Sequence, residues 1–221
     1  MPLPLTQRPD TLVPEILDDL PADHPDARSS RRDLRWFNAA LGNWRWFERQ
    51  LPGRLRAGER VLEIGAGTGE LGGRMARCGV AWDGLDRAPP PAEWPAGARW
   101  HQQDVFNFSG WAAYPVVTGN LIFHHFDPEQ LRRLGAALSS HTRLLMVGDL
   151  RRGRWQQWTF WAFACLIGAN HVSRHDGWLS IRAGFRGDEL PRLLGLNPAE
   201  WSWRLDPGPF SAYRLIAERR S

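Results

Sequence analysis

Residues 60–72 read Arg60-Val-Leu-Glu-Ile-Gly-Ala-Gly-Thr-Gly-Glu-Leu-Gly72, and the rest of the chain takes its meaning from them. Val61 to Ile64 has the branched, apolar character of a short buried strand. It runs into three glycines at alternate positions, Gly65, Gly67 and Gly69. A helical pattern follows, with Leu71, Met75 and Cys78 on one face. Strand, glycine turn and helix N-terminus together make a place where a ligand can touch backbone. Glycine suits such a turn because a Cβ would block the approach and because the turn often demands positive φ. The dinucleotide fingerprint requires a further glycine where this chain has Glu70, which argues against a nicotinamide-dependent reductase.

The pattern is instead Glu-x-Gly-x-Gly-x-Gly, with Glu63 near the end of the strand. It resembles motif I of the class I S-adenosylmethionine (SAM)-dependent methyltransferases. The resemblance implies an α/β chain with a Rossmann-like, seven-stranded, mostly parallel sheet and helices on both faces. It also implies a C-terminal antiparallel hairpin, an N-terminal helical cap, and SAM lying across the carboxyl ends of the strands. Glu63, Gly65, Gly67 and Gly69 would then be cofactor-binding residues.

Composition sets the outer bounds. The 221 residues suffice for one domain with additions. No uncharged apolar run reaches the ~18 residues of a membrane span. The first twenty residues carry acidic residues and prolines rather than a signal-peptide core, so a cytoplasmic location is the expectation. All 28 basic residues are arginine, as GC-rich bacterial coding would give, and the net charge of +4 is scattered rather than clustered. That argues against a nucleic-acid partner. Two cysteines exclude a disulfide scaffold or a cysteine zinc site.

Residues 1–30, with Pro2, Pro4, Pro9, Pro14, Pro21 and Pro25, read as a proline-rich extended arm with one short helix around Glu15 to Leu20. Ser29 or Ser30 looks like the N-cap of a helical cap over residues 31–52, split at Gly42-Asn43. In many methyltransferases of the resembling class such helices form a lid over SAM and substrate, which makes Trp36, Asn38 and Trp46 candidate pocket residues. By the same resemblance residues 53–221 would form the SAM-binding domain. A second strand, Val80 to Leu85, ends at Asp86, about twenty positions beyond the glycine turn, where a carboxylate can accept from both ribose hydroxyls. A third, Ala98 to Gln102, leads to Asp104 and Val105. The family places an acidic residue there on the adenine amine and an apolar one on the ring.

Tyr114 to Phe126 reads as the fourth strand and its exit, and resembles motif IV of small-molecule C- and O-methyltransferases. By that resemblance Asn120 would meet the methionine amino group, and His124 and His125 would stand near the transferred methyl. Asp127-Pro128 then caps a helix. The fifth strand ends at Gly148-Asp149. The next helix is crowded with tryptophan and phenylalanine, as for burial, for a flat substrate, or for contact with a membrane surface.

The segment Asn170-His-Val-Ser-Arg-His-Asp, followed by Ser180-Ile-Arg-Ala-Gly-Phe185, is rich in His, Arg and Asp. It resembles the corresponding region of small bacterial methyltransferases often encoded beside type III polyketide synthases, a resemblance running from about residue 30 to the C-terminus. Arg174, His175, Asp176, Ser180 and Arg182 are candidates for substrate binding or proton transfer. The competing reading is an ion-pair network bracing a loop. His171 and His175 stand at i, i+4 but have no evident third ligand, so no metal is expected.

The expected activity is methyl transfer from SAM to an oxygen or carbon of a phenolic or polyketide-like molecule, metal-independent, in a monomer or homodimer. The general base is His175, His124 or His125, with Arg174 assisting, because an imidazole titrates near working pH. The alternatives are a SAM-binding enzyme catalysing a cyclisation or rearrangement, and an RNA-modifying or binding protein.

Overall fold

The computed structural model describes residues 8–9, 12–21 and 23–220; Pro2 and Pro4 lie outside the described residues. The strands are β1 (Val61–Ile64), β2 (Trp82–Asp86), β3 (Trp100–Gln102), β4 (Val116–Asn120), β5 (Leu144–Leu150), β6 (Trp201–Asp206) and β7 (Ala212–Arg219). They form one sheet in the order β3-β2-β1-β4-β5-β7-β6. The first five are parallel, and β7 runs antiparallel between β5 and β6. The seven-stranded sheet with its terminal hairpin is the architecture expected from the sequence.

Successive strand residues point to opposite faces, and each face carries its own core. Leu62, Val117, Leu145 and Val147 pack beneath α5 (Pro128–Ser139) through Leu131, Leu134 and Leu138. Val61, Val116, Leu144 and Met146 pack on the other side against Leu71 and Met75 of α4 (Glu70–Arg77) and Phe47 of α3 (Asn43–Gln50). Asp127 and Gln130 close a reciprocal capping box at the start of α5.

Strand order reverses between β1 and β4, whose carboxyl ends therefore open a crevice. In sheets of this type ligands bind at that point. The covering elements are α1 (Ile16–Asp19), α2 (Pro25–Leu41), α6 (Arg154–Leu166) and α7 (His171–Ala183). A five-residue helix, α8 (Glu189–Leu193), leads into the terminal hairpin.

Two expectations need correction. The cap helix does not start at Arg31 behind a serine: α2 begins at Pro25, and His24 Nδ1 accepts the Asp26 N–H at 3.2 Å. Proline has no N–H to lose at the first helical position, so Pro25 opens the helix that proline richness had argued against. Residues 171–183 are not a loop but α7, capped by Asn170 Oδ1 accepting from Ser173 N at 2.7 Å. The split between α2 and α3 at Gly42 is as expected, with φ +63°.

Candidate active site

A cavity of about 510 Å³ lies over the switch point. Its floor is the glycine turn (Gly65 to Thr68) and the β4 exit (Asn120, Leu121, His124, His125). Its roof is Glu15, Leu17 and Leu20 of the arm and Asn38 of α2, and Phe37, Phe160 and Phe163 form an apolar end. The rings of Phe37 and Phe160 lie 4.7 Å apart. Gly177 of α7 permits this arrangement, since a Cβ there would fall 2.0 Å from the Phe160 ring.

The glycine turn has the geometry its sequence promised. Gly65 sits at φ +66° and Gly67 at φ +53°. A Cβ on Gly65 would come 2.5 Å from Ile122, whereas one on Gly67 would meet nothing nearer than 3.9 Å. Gly67 therefore presents bare backbone toward open space. Its N–H donates to Asp86 Oδ2 at 2.8 Å, which ties the end of β2 to the turn. Asn120 donates from Nδ2 to Asn38 Oδ1 at 2.8 Å and accepts from Asn43 Nδ2 at 3.1 Å, so one strand-end amide fastens both cap helices.

His124 is buried, with Nδ1 2.7 Å from Asp149 Oδ1. Asp149 is fully buried and also accepts from the backbone N–H groups of Phe123 and Leu150. Burial works against the imidazolium, but the charge and hydrogen bond of Asp149 outweigh it and raise the His124 pKa. His125 behaves oppositely: burial, and then the neighbouring His124, push it down to about 3, so its ring stays neutral. Glu15, His124 and His125 bring ligand atoms within 4.8 Å of one another, the one such grouping found among the described residues. Nδ1 of His124 is already committed to Asp149, leaving Nε2 for that role.

Several predicted site residues fall elsewhere. Glu63 is buried and accepts from Trp82 Nε1 at 2.9 Å without reaching the cavity; burial pushes its carboxyl up to about 8. Asp104 caps a short 3-10 turn by accepting from Phe106 N, and Val105 packs against the core, so neither lines the cavity. Gly69 is also outside its walls, packed against Pro91 and Trp94. Trp36 is 57% exposed and Trp46 is buried against Phe47.

The largest correction concerns α7. His175 and Arg174 are exposed, and Arg182 is not in the cavity wall; helical geometry turns these three away from the residues that face inward. Asp176 and Ser180 do line the cavity, yet besides bonds within α7, Asp176 to His175 at 3.0 Å and Ser180 to the Asp176 carbonyl at 2.8 Å, their bonds go to the arm. Asp176 accepts from Ile16 N and Leu17 N, both at 2.9 Å, and Ser180 Oγ donates to Glu15. Asp33, buried on α2, accepts from Ser173 Oγ at 2.9 Å and Asn170 N at 3.1 Å. The polar face of α7 is a seat for the arm and α2, which is the bracing reading carried by hydrogen bonds more than by ion pairs.

Sequence reasoning missed four contributors. Asp149 had a visible signal, an acidic residue ending the strand next to the two histidines. Glu15 had none, since it lies in a proline-rich segment. Leu121 adopts φ +56° and Phe210 φ +51°, conformations unusual for residues with a Cβ and carrying no signature in sequence.

No protein-family model matches the chain, and no curated protein is similar to it in sequence. Solved structures are similar in fold. The plantazolicin methyltransferase BpumL in complex with S-adenosylhomocysteine (SAH) superposes with a TM-score of 0.66 at 14% identity, over 90% of this chain and 92% of that one. The Burkholderia thailandensis 1,6-didemethyltoxoflavin-N1-methyltransferase, with its substrate and SAH bound, gives 0.56 at 20% identity, over 92% and 93%. A structure described as conversion of a disulfide bond into a thioacetal group during echinomycin biosynthesis gives 0.55 at 21%, over 81% of each chain. What the chain shares with these proteins is the fold, the Rossmann-like sheet of SAM-dependent methyltransferases.

Proposed function

We propose that this chain is a SAM-dependent methyltransferase of class I acting on a phenolic or polyketide-like small molecule of bacterial natural-product biosynthesis. The observation that carries the reading is the single cavity joining the glycine turn to the His124–Asp149 pair. The turn fits the cofactor: Gly67 offers backbone beside open space, and Asp86 stands against it with a carboxylate suited to ribose hydroxyls. Gly65, Gly67, Asp86 and Asn120 would hold SAM. SAM supplies an electrophilic methyl on a sulfonium.

The protein must then align an acceptor, exclude water, and take a proton from a phenol or enol. Asp149 holds His124 with Nδ1 as donor, so Nε2 is the basic nitrogen presented to the cavity. His125, with its pKa near 3, contributes a neutral polar ring and not the base. Phe37, Phe160 and Phe163 supply an apolar, aromatic wall for a ring system, and the arm closes the roof. A displacement at carbon asks for alignment and a base, so we take the reaction to be metal-independent.

Calorimetry with SAM, followed by measurement of SAH formation with a simple phenol, tests the proposal. Absence of SAM binding overturns it. Binding with SAM unchanged after substrate turnover would instead support a non-methylating reaction in the same site.

A further inference from the structure

The α6–α7 hairpin has a second side that the cavity does not use. On α6, Thr159, Phe160 and Phe163 face the cavity. Trp155, Trp158, Trp161 and Leu166 face out, exposed by 73%, 59%, 48% and 81%. These four fall at helical spacing, so they form a continuous apolar stripe rather than scattered surface residues. Arg154 is the one Asp, Glu, Lys, Arg or His residue of the helix, and it sits at its first position.

The stretch of chain that carries the stripe is poor in carboxylates. From residue 151 to residue 186 the sole carboxylate is Asp176, which is buried and faces the arm. Arg151, Arg154, Arg174 and Arg186 are exposed in the same span, and among the described residues none of them is paired with a carboxylate. A tryptophan-bearing apolar face with unpaired arginines on the same hairpin matches the interface of an anionic bilayer, where indole rings settle at headgroup depth and arginines meet phosphates.

A second copy of the chain fits the patch less well. A two-fold contact would set this surface against itself and bury cations with no counterion. The hairpin also lies on the surface rather than through it: no described helix is long and apolar enough to cross a membrane.

We propose that the outer face of α6, with the arginines of the same hairpin, docks the protein on an anionic lipid surface. Docking would place the aromatic end of the cavity, which the same helix builds from its inner face, next to the lipid. This does not rest on the methyl-transfer reading and can hold if that reading fails.

The test uses the full chain and sedimentation with phosphatidylglycerol–phosphatidylcholine vesicles, against phosphatidylcholine alone. The expected result is binding that requires the anionic lipid, weakens with salt, and quenches tryptophan fluorescence when brominated acyl chains are present. Replacing Trp155→Ser, Trp158→Ser and Trp161→Ser together should lower partitioning at least about tenfold while the melting temperature is retained. Because a failed fold would also abolish binding, Arg154→Glu with Arg174→Glu serves as a second variant expected to remove the anionic-lipid preference. Wild-type protein that ignores anionic vesicles at low salt overturns the proposal. So does a dimer that the tryptophan substitutions dissociate, which would assign the stripe to a second copy.

Discussion

His124 Nδ1 lies 2.7 Å from Asp149 Oδ1, and both side chains are shut away from water. The carboxylate selects the tautomer, so the nitrogen left for the cavity is always the unprotonated one in the neutral ring. Asp149→Asn should keep the fold and cost on the order of 10²–10⁴ in kcat, as removal of an effective general base does. The pH profile gives the sign. The basic form is neutral imidazole, and Asp149 raises the His124 pKa, so the acid limb of kcat/KM should lie above the ordinary histidine value. In the asparagine variant burial is opposed only by the weaker influence of Glu15, and the limb should move to lower pH. A limb that does not move counts against His124 as base.

The glycine turn makes a prediction about binding rather than rate. Gly67→Ala puts a side chain at φ +53° and into the open space before the turn. Strain of roughly 1–3 kcal/mol is expected. Titration calorimetry should show SAM affinity reduced by about tenfold or more. Gly65→Ala should be worse for folding itself, because its Cβ would strike Ile122.

Glu63 predicts a dependence of stability on pH. Its folded pKa is raised to about 8 from an ordinary 4.5, chiefly by burial. The folded state holds its proton longer than the unfolded state, so its contribution is full below pH 4.5 and is lost as pH rises toward 8. Glu63→Gln keeps an acceptor for Trp82 and carries no such titration. Melting curves should therefore show the wild type falling behind the variant across that window, by on the order of a few kcal/mol at its upper end. Parallel curves would refute the buried-carboxyl account.

Asp176 predicts an effect on the roof. It accepts two N–H groups at the start of α1, and Asp176→Ala leaves both without that partner. A loss of about 0.5–2 kcal/mol in arm docking is expected, the range for removing a helix cap. Limited proteolysis should cut near residues 12–21 several-fold faster, and KM should rise more than kcat falls.

Zinc predicts an inhibition. Glu15, His124 and His125 can together take a divalent ion, and doing so would occupy the base. Activity should be indifferent to chelators and should fall with added Zn²⁺, with Glu15→Gln raising the inhibitory concentration.

Much of the fold was legible because it follows from periodicity and glycine. The strand–turn–helix at 61–77, the Asp86 position and the antiparallel hairpin were all readable, since each is a local pattern with one cheap structural solution. The polar residues of α7 were not. Asp176 and Ser180 have the composition of a substrate site, but a sequence does not say whether a carboxylate meets a ligand or the first turn of a remote helix. Pro25 misled for a related reason: the same residue that forbids a helix interior favours a helix start. His124 and His125 looked equivalent side by side, and Asp149 separates them by bonding one and not the other.

Arg8 has a consequence for the order in which this molecule comes together. Its guanidinium donates to the carbonyls of Ala183 at 2.8 Å and of Phe126 at 2.6 Å, and lies over the ring of Phe185. These partners belong to the β4 exit and the far end of α7, which leave the ribosome long after Arg8 itself. The Arg8 segment, made before both of its partners, must therefore wait for two later segments to settle before it can be seated. Its bonds are made last, and local opening should release it first. Release and reseating of Arg8 would thus be a reversible final step of folding that leaves the sheet beneath undisturbed.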